Sequence, residues 1–438
     1  MTQINKKNDK QRKIKVLVFP AGTEIAFEIL NALKYSKFIE IYGANSMPSH
    51  AEFVFERCIT DLPLETDSSF LRSLNKLIDE EGIDFVYPAR DSSCLLLTEK
   101  ENEVHAKVVT SPLKTVEICR SKNKTYEYFK DQNFIPKTYK GTQDVENYPV
   151  FIKPAVGQGS VGARLVKTKE ELIEALKSDN EYSICEYLPG EEYTVDCFTD
   201  KNQNLRVCKL RSRERIKTGI AVKSRNLPIS GEVKRIAEEI NFKLIFNGAW
   251  FFQLKKNAGG ELKLLEISPR IPGTMSVSRN TGINFPLLTI YNMLGYDVDI
   301  INNDIEVLLD RAFISRFRTN VKYRCVYIDF DDTIYIGDKV NLTVISFLYQ
   351  CVNNNIPIVL LTKHRKDILC SLEHFKISDK LFAEIINIDD NQEKFNYIKE
   401  KESIFIDDSF SERKKVKEKL GINVYDLDMI ESLIDWRM

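Results

Sequence analysis

The sequence contains no long apolar run, few histidines and no paired-cysteine motif. No segment approaches the roughly 18 consecutive apolar residues that a membrane-spanning helix needs, so a membrane protein is not expected. The nine cysteines form no Cys-x-x-Cys pair and the four histidines are dispersed. A zinc site is therefore not expected, and the cysteines are interpreted as reduced thiols. Basic residues (63) nearly balance acidic ones (64), which favours neither nucleic acid nor a membrane surface as a partner.

Residues 1–13 are polar and rich in lysine, and they lack the apolar core of a signal peptide. We therefore expect a flexible tail on a cytoplasmic protein. The length of 438 residues suggests two to four domains. A hydrophobic content of 43% and a charged content of 29% are typical of globular domains with substantial cores.

A glycine-rich loop, Gly157-Gln-Gly-Ser-Val-Gly162, lies between the apolar segments 150–153 and 163–166. Glycine lets backbone N–H groups approach phosphates, and the ammonium of Lys153 can neutralise their charge. The loop also satisfies the pattern Gly-x-Gly-x-x-Gly of dinucleotide-binding folds, but that function requires a helix directly after the loop. The following segment favours a strand, so the sequence predicts a hairpin. An ordinary glycine-rich turn is the alternative for the loop taken alone.

Further motifs follow this loop in a fixed order. Glu186-Tyr-Leu188 and then Glu192 come about thirty residues later, and Gln253 and Glu266-Ile-Ser-Pro-Arg270 lie far downstream. With the loop, this ordered set resembles the ATP-grasp superfamily, especially the carbamoyl-phosphate-synthase-like carboxylate–amine ligases. The resemblance covers roughly residues 14–300. It implies ATP and Mg²⁺ as cofactors, with Mn²⁺ as an alternative cation.

The resemblance also implies a role for each matching residue. Glu186 to Leu188 would form the adenine hinge, and Glu192 would bind the ribose. Arg270 would bind phosphate or the intermediate. The complete implied nucleotide-binding set is Lys122, Lys153, Gly157, Gly159, Ser160, Gly162, Glu186, Tyr187, Leu188 and Glu192.

The implied metal ligands are Gln253, Glu266 and Ser268. Magnesium prefers hard oxygen ligands and keeps several waters, so a carboxylate and an amide oxygen suffice. Alternation around Glu266 predicts a strand that directs this carboxylate into a cleft, although a surface carboxylate at a strand edge is the alternative. The family usually has asparagine where this chain has Ser268. The shorter reach of serine leaves a degenerate second metal site open.

A basic segment, Lys209–Gly219, lies between the hinge and the metal residues. In the family this region crosses the active site and often carries an arginine for phosphate or the substrate carboxylate. The planar guanidinium can bind a carboxylate through two hydrogen bonds. Arg213 is the first choice and Arg211 the second, and alternating arginines on an exposed strand are the alternative. The segment Arg279–Gly282 could likewise complete an acceptor pocket.

The N-terminal segment predicts a small βα unit that matches the pre-ATP-grasp domain of the same family. Strands are predicted near residues 14–19, 40–44 and 84–88, and a helix from about Glu24 to Leu33. By resemblance, Arg90 and Asp91 would help to form the substrate cleft. Ordinary polarity at a strand end is the alternative.

A second set of motifs lies near the C-terminal end. Cys325–Ile328 is apolar and leads to Asp329 and Asp331, two acids that could share a cation and divide nucleophilic and acid–base roles. This pattern resembles the first motif of the haloacid dehalogenase (HAD) superfamily. The resemblance implies phosphate binding by Thr362, a stabilising cation from Lys394 on a helix, and a magnesium site completed by Asp407 and Asp408. A solvated helix face is the alternative for Lys394.

Short spacing limits the architecture of this segment. About 28 residues separate Thr333 from Thr362, and about 31 separate Thr362 from Lys394, which leaves no room for a cap domain. Asp332 occupies a position where the superfamily commonly has glycine. The sequence thus predicts an α/β multidomain protein with a tail (1–13), a pre-ATP-grasp Rossmann-like unit (14–110), ATP-grasp α+β subdomains (111–312), a basic linker (313–324) and a capless HAD-like domain with a parallel Rossmannoid sheet (325–438).

Together the two resemblances predict a bifunctional enzyme. The N-terminal part would join a carboxylate to an amine, and the C-terminal part would hydrolyse a phosphate monoester of the same pathway. The expected partners are small-molecule carboxylate, amine and phosphate-ester substrates, and a homodimer is left open. The alternative is a phosphatase whose ATP-grasp region binds a nucleotide or metabolite without ligase activity.

Overall fold

The computed structural model describes residues 12–157, 159, 161–177 and 181–437. The described chain divides into two compact units, one ending at Phe313 and one spanning Ile314–Arg437. Among the described residues, short 3-10 helices connect the longer elements at His50–Phe53, Glu101–Glu103, Thr142–Asp144, Asp379–Leu381, Lys394–Tyr397 and Leu427–Ser432.

The first unit begins with a parallel sheet in the order β3-β2-β1-β4-β5. Its elements are β1 (Ile14–Phe19), α1 (Glu24–Leu33), β2 (Ile39–Ala44), β3 (Arg57–Ile59), α2 (Phe70–Glu81), β4 (Phe85–Pro88), α3 (Asp91–Glu99) and β5 (Lys107–Val108). The strands and helix predicted for this segment are confirmed. Residues Val16 to Val18 are fully buried, as expected where helices cover both faces of a parallel sheet. The hydroxyl of Thr23 caps α1 by accepting from Ala26 N at 3.1 Å.

An antiparallel sheet in the order β6-β9-β7-β8 follows. The elements of this part are α4 (Leu113–Arg120), α5 (Lys122–Tyr128), β6 (Thr138–Tyr139), β7 (Val150–Pro154), β8 (Arg164–Val166), α6 (Lys169–Ala175) and β9 (Tyr182–Glu186). The glycine-rich loop joins β7 to β8, which pair antiparallel. The predicted hairpin is therefore confirmed, and the dinucleotide-binding interpretation fails because a strand follows the loop.

The largest sheet has the order β12-β13-β11-β10-β14-β15, with β16 paired to β13. Its segment contains β10 (Glu192–Thr199), β11 (Leu205–Ser212), β12 (Arg215–Lys217), β13 (Ile220–Leu227), α7 (Gly231–Lys243), β14 (Gly248–Lys256), β15 (Leu262–Ser268), α8 (Ser276–Arg279), α9 (Phe285–Met293) and β16 (Leu308–Asp310). Trp250, Phe252 and Leu254 of β14 pack in one core with apolar residues of α7. Because side chains alternate along a strand, Phe251 and Gln253 face the opposite side, where they line a cleft.

The second unit has a parallel sheet in the order β21-β20-β17-β22-β23 and a separate hairpin, β18–β19. Its elements are β17 (Cys325–Ile328), β18 (Tyr335–Ile336), β19 (Lys339–Val340), α10 (Leu342–Asn353), β20 (Ile358–Thr362), α11 (Ile368–His374), β21 (Glu384–Asn387), β22 (Ser403–Ile406), α12 (Phe410–Leu420) and β23 (Asn423–Tyr425). Parallel pairing of β17 with β20 and β22 brings their carboxyl ends to one edge. One expectation needs correction, because Lys394 begins a single 3-10 turn rather than lying on an α-helix.

Among the described residues, the structure has no helix that combines the length and the apolar character required to cross a bilayer.

The backbone at Asp332 explains why glycine suits this position. Its φ of 50° is left-handed, a conformation that costs an ordinary L-residue about 1–2 kcal/mol. We expect Asp332→Val to lower the free energy of unfolding of the second unit by about that amount, because branching at Cβ worsens the clash. Asp332→Gly should not lower it. Urea unfolding monitored by Trp436 in a Trp250→Phe background measures this, since the chain has two tryptophans.

Asp338→Val provides the control, because Asp338 is also exposed but is not among the positive-φ residues. Equal effects of valine and glycine at position 332 would contradict the interpretation.

Candidate active sites

A cleft in the first unit collects most of the residues that the sequence singled out. Lys122, Lys153, Gly157, Gly159, Glu186, Tyr187, Leu188, Glu192, Arg213, Gln253 and Glu266 all line it. Gly162 is not part of this lining; its φ of 75° serves the hairpin turn, and a Cβ there would lie 3.0 Å from the ring of Pro154. Ser160 lies outside the described residues.

Lys153 is buried in this cleft and is held by neutral oxygen atoms. Its Nζ donates to the hydroxyl of Tyr126 at 2.7 Å and to the carbonyl of Leu265 at 3.1 Å. Burial lowers the pKa of Lys153, and Glu266 opposes that effect. Burial also lowers the pKa of Lys122. In the described part of the chain, neither ammonium has a carboxylate within 4.0 Å, so this end of the cleft favours an anionic ligand.

Gln253 and Glu266 are register partners on β14 and β15 and both line the cleft. An amide oxygen and a carboxylate on adjacent strands are suitable donors for Mg²⁺. Ser268 is buried, and its hydroxyl donates to Asp91 Oδ1 at 3.2 Å. Its hydroxyl is thus directed at Asp91 in the adjoining compartment of the cleft, which Ser268 and Asp91 both line.

Arg270 lines the same compartment but already has a carboxylate partner. Its Nε donates to Asp91 Oδ1 at 2.7 Å, and Nη2 donates to Oδ2 at 2.5 Å. Burial alone would raise the pKa of Asp91, but the guanidinium of Arg270 brings it below its ordinary value. Asp91 therefore takes part in the cleft, whereas the neighbouring Arg90 is exposed.

The two arginines proposed for the basic segment have different environments. Arg211 is fully buried, donating from Nε to Asp196 at 3.0 Å and from Nη1 to Thr274 at 2.6 Å. Arg213 lies 2.6 Å from Glu192 and borders both compartments of the cleft. Their side chains are only 1% and 8% exposed, which excludes an exposed strand of alternating arginines.

Several residues of this region were not identified from the sequence. Glu24, Arg120 and Arg311 also line the second compartment. The Nη1 of Arg311 is buried without a hydrogen-bond partner among the described residues. No motif surrounds these positions, so only their spatial convergence reveals them. Arg279, which the sequence offered for an acceptor pocket, donates to the buried Glu28 at 2.7 Å and lines a neighbouring cavity instead.

The glycine-rich loop touches a second loop across the cleft. Gly159 lies against Gly219 at the tip of the β12–β13 hairpin, and a Cβ on Gly219 would lie 2.2 Å from the carbonyl carbon of Gly159. Gly219 also has a φ of 75°. Glycine is therefore required at this contact both for the backbone conformation and for the close approach.

The second unit contains a cluster of acids at the carboxyl edge of its sheet. Carboxylate oxygens of Asp329, Asp407 and Asp408 lie within 4.8 Å of one another, a grouping that could hold a metal ion. The Nζ of Lys394 lies 2.6 Å from both Asp329 and Asp407. Lys394 is only 3% exposed, which excludes a solvated helix face. Burial raises the pKa of Asp407 to about 7, although Lys394 opposes that shift.

Thr362 and Asp331 border this cluster in different ways. Thr362 is fully buried, and its hydroxyl has no hydrogen-bond partner of good geometry within the described residues, which leaves it available to a ligand. Asp331 is not part of the three-carboxylate group; it contacts His364 and the hydroxyl of Tyr335. The sequence interpretation missed both partners. His364 lies two residues beyond Thr362 at the end of its strand, and this position could have indicated that the histidine lies near the acids.

Two family models match the first unit. The model described as "ATP-grasp in the biosynthetic pathway with Ter operon" matches residues 178–310. The model of the carbamoyl-phosphate synthase L chain, ATP binding domain, matches residues 129–207. Neither model reaches the second unit, so the HAD-like resemblance remains a prediction.

Curated relatives match a short part of the chain. A D-alanine–D-alanine ligase of Clostridium botulinum is 38% identical over 94 residues, which cover 18% of this chain and 31% of that protein. The corresponding ligase of Clostridium perfringens is 48% identical over 65 residues, which cover 14% of this chain and 22% of that protein. The chain thus spans less than a third of the length of these relatives.

Solved structures share the fold over a larger region. Biotin carboxylase from Campylobacter jejuni has a TM-score of 0.55 at 14% identity, covering 67% of this chain and 74% of that chain. An L-amino acid ligase from Bacillus licheniformis has a TM-score of 0.52 at 18% identity, covering 67% and 76%. The biotin carboxylase domain of a Hydrogenobacter thermophilus 2-oxoglutarate carboxylase, in complex with MgADP, has a TM-score of 0.53 at 18% identity, covering 67% and 72%.

The family models, the matching ligases and the shared fold agree with the geometry of the cleft. ATP and Mg²⁺ are the cofactors of ATP-grasp ligases, so the cofactor prediction is confirmed at the level of the superfamily. Residues 129–310 of this chain therefore resemble ATP-grasp domains.

Proposed function

We propose that the first unit is an ATP- and Mg²⁺-dependent carboxylate–amine ligase. The observation that carries this proposal is the cleft that buried Lys153 and half-buried Lys122 line together with the oxygen donors Gln253 and Glu266. Two cations that have no carboxylate partner among the described residues suit the phosphates of a nucleotide. The paired oxygen donors suit the magnesium that accompanies it.

The reaction proceeds in two displacements. A carboxylate oxygen of the first substrate attacks the γ-phosphorus of ATP, and ADP leaves to give an acyl phosphate. The amine of the second substrate then attacks the acyl carbon, inorganic phosphate leaves, and the amine nitrogen loses a proton as the amide forms. The main work of the protein is positioning and charge neutralisation, by Lys153 near the phosphates and by Arg213 at the junction of the two compartments. Bound Mg²⁺ would neutralise phosphate charge.

The second unit is proposed to be a HAD-like phosphomonoesterase that acts in the same pathway. Asp329 attacks the phosphorus of a phosphate ester, and the alcohol leaves with a proton from Asp331. Asp331, now a carboxylate, takes a proton from water as the water oxygen attacks the phosphorus, and the carboxylate of Asp329 leaves to release inorganic phosphate. Lys394 keeps Asp329 in place and offsets charge in the cluster. Asp329, Asp407 and Asp408 supply the oxygen donors for a hard cation. The hydroxyl of Thr362, which has no hydrogen-bond partner of good geometry in the described part of the chain, is available to a phosphate oxygen.

A second candidate function is that the first unit binds a nucleotide or metabolite without joining substrates. It is favoured by the contacts of Ser268 and Arg270, both of which are engaged by Asp91. These contacts would reduce the contribution of both residues to a metal or an intermediate.

ADP release distinguishes the two candidates. In an Asp329→Asn background, which silences the proposed phosphatase, we expect ADP release to require both a carboxylate and an amine from a pooled library. Lys153→Ala and Glu266→Ala should each reduce it by about 100-fold, because each removes charge stabilisation from the transferred phosphate. Lys256→Ala is the control, since Lys256 pairs with Glu191 outside the cleft lining. Nucleotide binding without ADP release across the library would favour the binding module.

The contact between Gly159 and Gly219 predicts an effect on nucleotide affinity. Gly219→Ala should weaken binding of a non-hydrolysable ATP analogue by about 10-fold, because overpacking costs about 1–3 kcal/mol and the added Cβ pushes the glycine-rich loop away from the phosphates. Calorimetric titration with Mg²⁺ measures this. Gly260→Ala is a matched control, since Gly260 has a φ of 82° and no atom within 4 Å of an added Cβ. Unchanged affinity in Gly219→Ala would show that the loop contact does not position the nucleotide.

Turnover of generic phosphate monoesters tests the second unit. We expect Mg²⁺-dependent release of phosphate from 4-nitrophenyl phosphate that Asp329→Asn abolishes, because the amide is not a nucleophile. Asp390→Asn should retain full activity, since Asp390 is exposed and pairs with Arg365. Activity that survives in Asp329→Asn would exclude Asp329 as the nucleophile.

A further inference from the structure

Asp331 is held on one side by two hydrogen-bond donors. The Nδ1 of His364 lies 2.8 Å and 3.0 Å from its two carboxylate oxygens. The hydroxyl of Tyr335 donates to Oδ1 at 2.6 Å. The side chain of Asp331 is 39% exposed, whereas that of His364 is 6% exposed. The carboxylate is therefore fixed from the protein side and open on the other.

His364 is itself fixed in position. Its Nε2 lies 2.7 Å from the hydroxyl of Ser371 on α11, and its ring meets Phe330 edge to face at 5.2 Å. In its carboxylate form, Asp331 can only accept hydrogen bonds. With Asp331 in that form, the imidazole donates from Nδ1 to Asp331 and can accept at Nε2 from Ser371, so the hydrogen-bond chain from Ser371 through His364 ends at Asp331.

The same three residue types form the catalytic triad of serine hydrolases, in which the serine is the nucleophile beside free backbone N–H groups. Ser371 has different surroundings. Its own N–H donates to the carbonyl of Asp367 at 3.0 Å, and the N–H of Cys370 donates to the Asp367 side chain at 2.9 Å. The adjacent donors are thus engaged within the helix, and the geometry supports Ser371 as the residue that orients His364.

Asp331 lies two residues after Asp329 in the sequence but is not one of the three grouped carboxylates, Asp329, Asp407 and Asp408. Without its two donors its side chain would be free to rotate, and the positive charge of the nearby Lys394 would favour rotation toward the cluster. Tyr335 and His364 oppose this rotation, because it would leave both donors without their acceptor, and the side chain of His364 is buried.

We infer that His364 is a positioning residue that keeps Asp331 outside the acid cluster and directed toward the leaving group of the phosphate ester. This inference rests on the proposed phosphatase function. The positioning role predicts that the effect of losing His364 depends on the leaving group. Release of leaving groups that need a proton should slow, and release of leaving groups that do not need one should be unaffected.

His364→Phe removes the donor and retains a ring against Phe330. With an alkyl phosphate as substrate, we expect kcat to fall about 10- to 100-fold with little change in KM, which is within the range that general acid catalysis supplies. With 4-nitrophenyl phosphate, whose leaving group departs as a stable anion, kcat should change less than about threefold. His364→Asn places an N–H donor near the Nδ1 position and should restore most of the activity toward the alkyl phosphate.

Asp331→Asn gives the effect of losing proton donation completely. His374→Phe is the control, since His374 is an exposed histidine of α11, the helix that carries Ser371, and its ring contacts Phe375. Thermal unfolding of each variant checks that the second unit is folded.

An equal loss of kcat with both substrates in His364→Phe, or no recovery of kcat in His364→Asn, would overturn the positioning role. Covalent labelling of Ser371 by a fluorophosphonate would overturn it in favour of a serine nucleophile. If the wild-type protein hydrolysed neither ester, the proposed phosphatase would fail and this inference with it, whereas activity unaffected by His364→Phe would overturn the inference alone.

Discussion

A buried ammonium stays charged only where oxygen atoms replace its hydration, and both candidate sites are organised around this constraint. In the first unit, Lys153 donates hydrogen bonds to a hydroxyl and a carbonyl, and no carboxylate of the described chain pairs with it. In the second unit, Lys394 lies between two carboxylates with a third nearby. The first arrangement leaves positive charge for an anionic ligand, and the second leaves acidic groups for a cation. The charge of the first site therefore suits phosphate groups directly, whereas the charge of the second suits a cation.

Strand geometry places these charges at the cleft and at the sheet edge. Alternation along β14 buries Trp250 and Phe252 against α7 and turns Gln253 to the cleft, where the register with β15 puts Glu266 opposite it. In the second unit, parallel pairing aligns the carboxyl ends of β17, β20 and β22. Asp329, Thr362 and Asp407 lie at these adjacent strand ends and are therefore brought together. The candidate metal ligands in each unit are thus positioned by the same packing that forms the core.

The sequence was most informative where a short pattern has one physical interpretation. Apolar runs ending in polar residues predicted the strands before Asp329, Thr362 and Asp407, and two apolar segments around a glycine-rich loop predicted the β7–β8 hairpin. Pattern alone did not decide whether Lys394 was a solvated side chain or a buried one. A lysine on a polar segment has the same local sequence in either case, and only the approach of β17 and β22 surrounds it with acids.

The sequence by itself determined the order of the two units, the strands that end in candidate site residues and the resemblance of residues 129–310 to ATP-grasp domains, because these depend on local alternation and motif spacing. Only the tertiary structure decided which charges pair. It joined Arg270 to Asp91, Arg211 to Asp196 and His364 to Asp331, partners separated by 179, 15 and 33 residues. The physical reason is that the pKa and the availability of a buried charge depend on the groups that the fold brings within a few ångströms, and no local pattern specifies those groups.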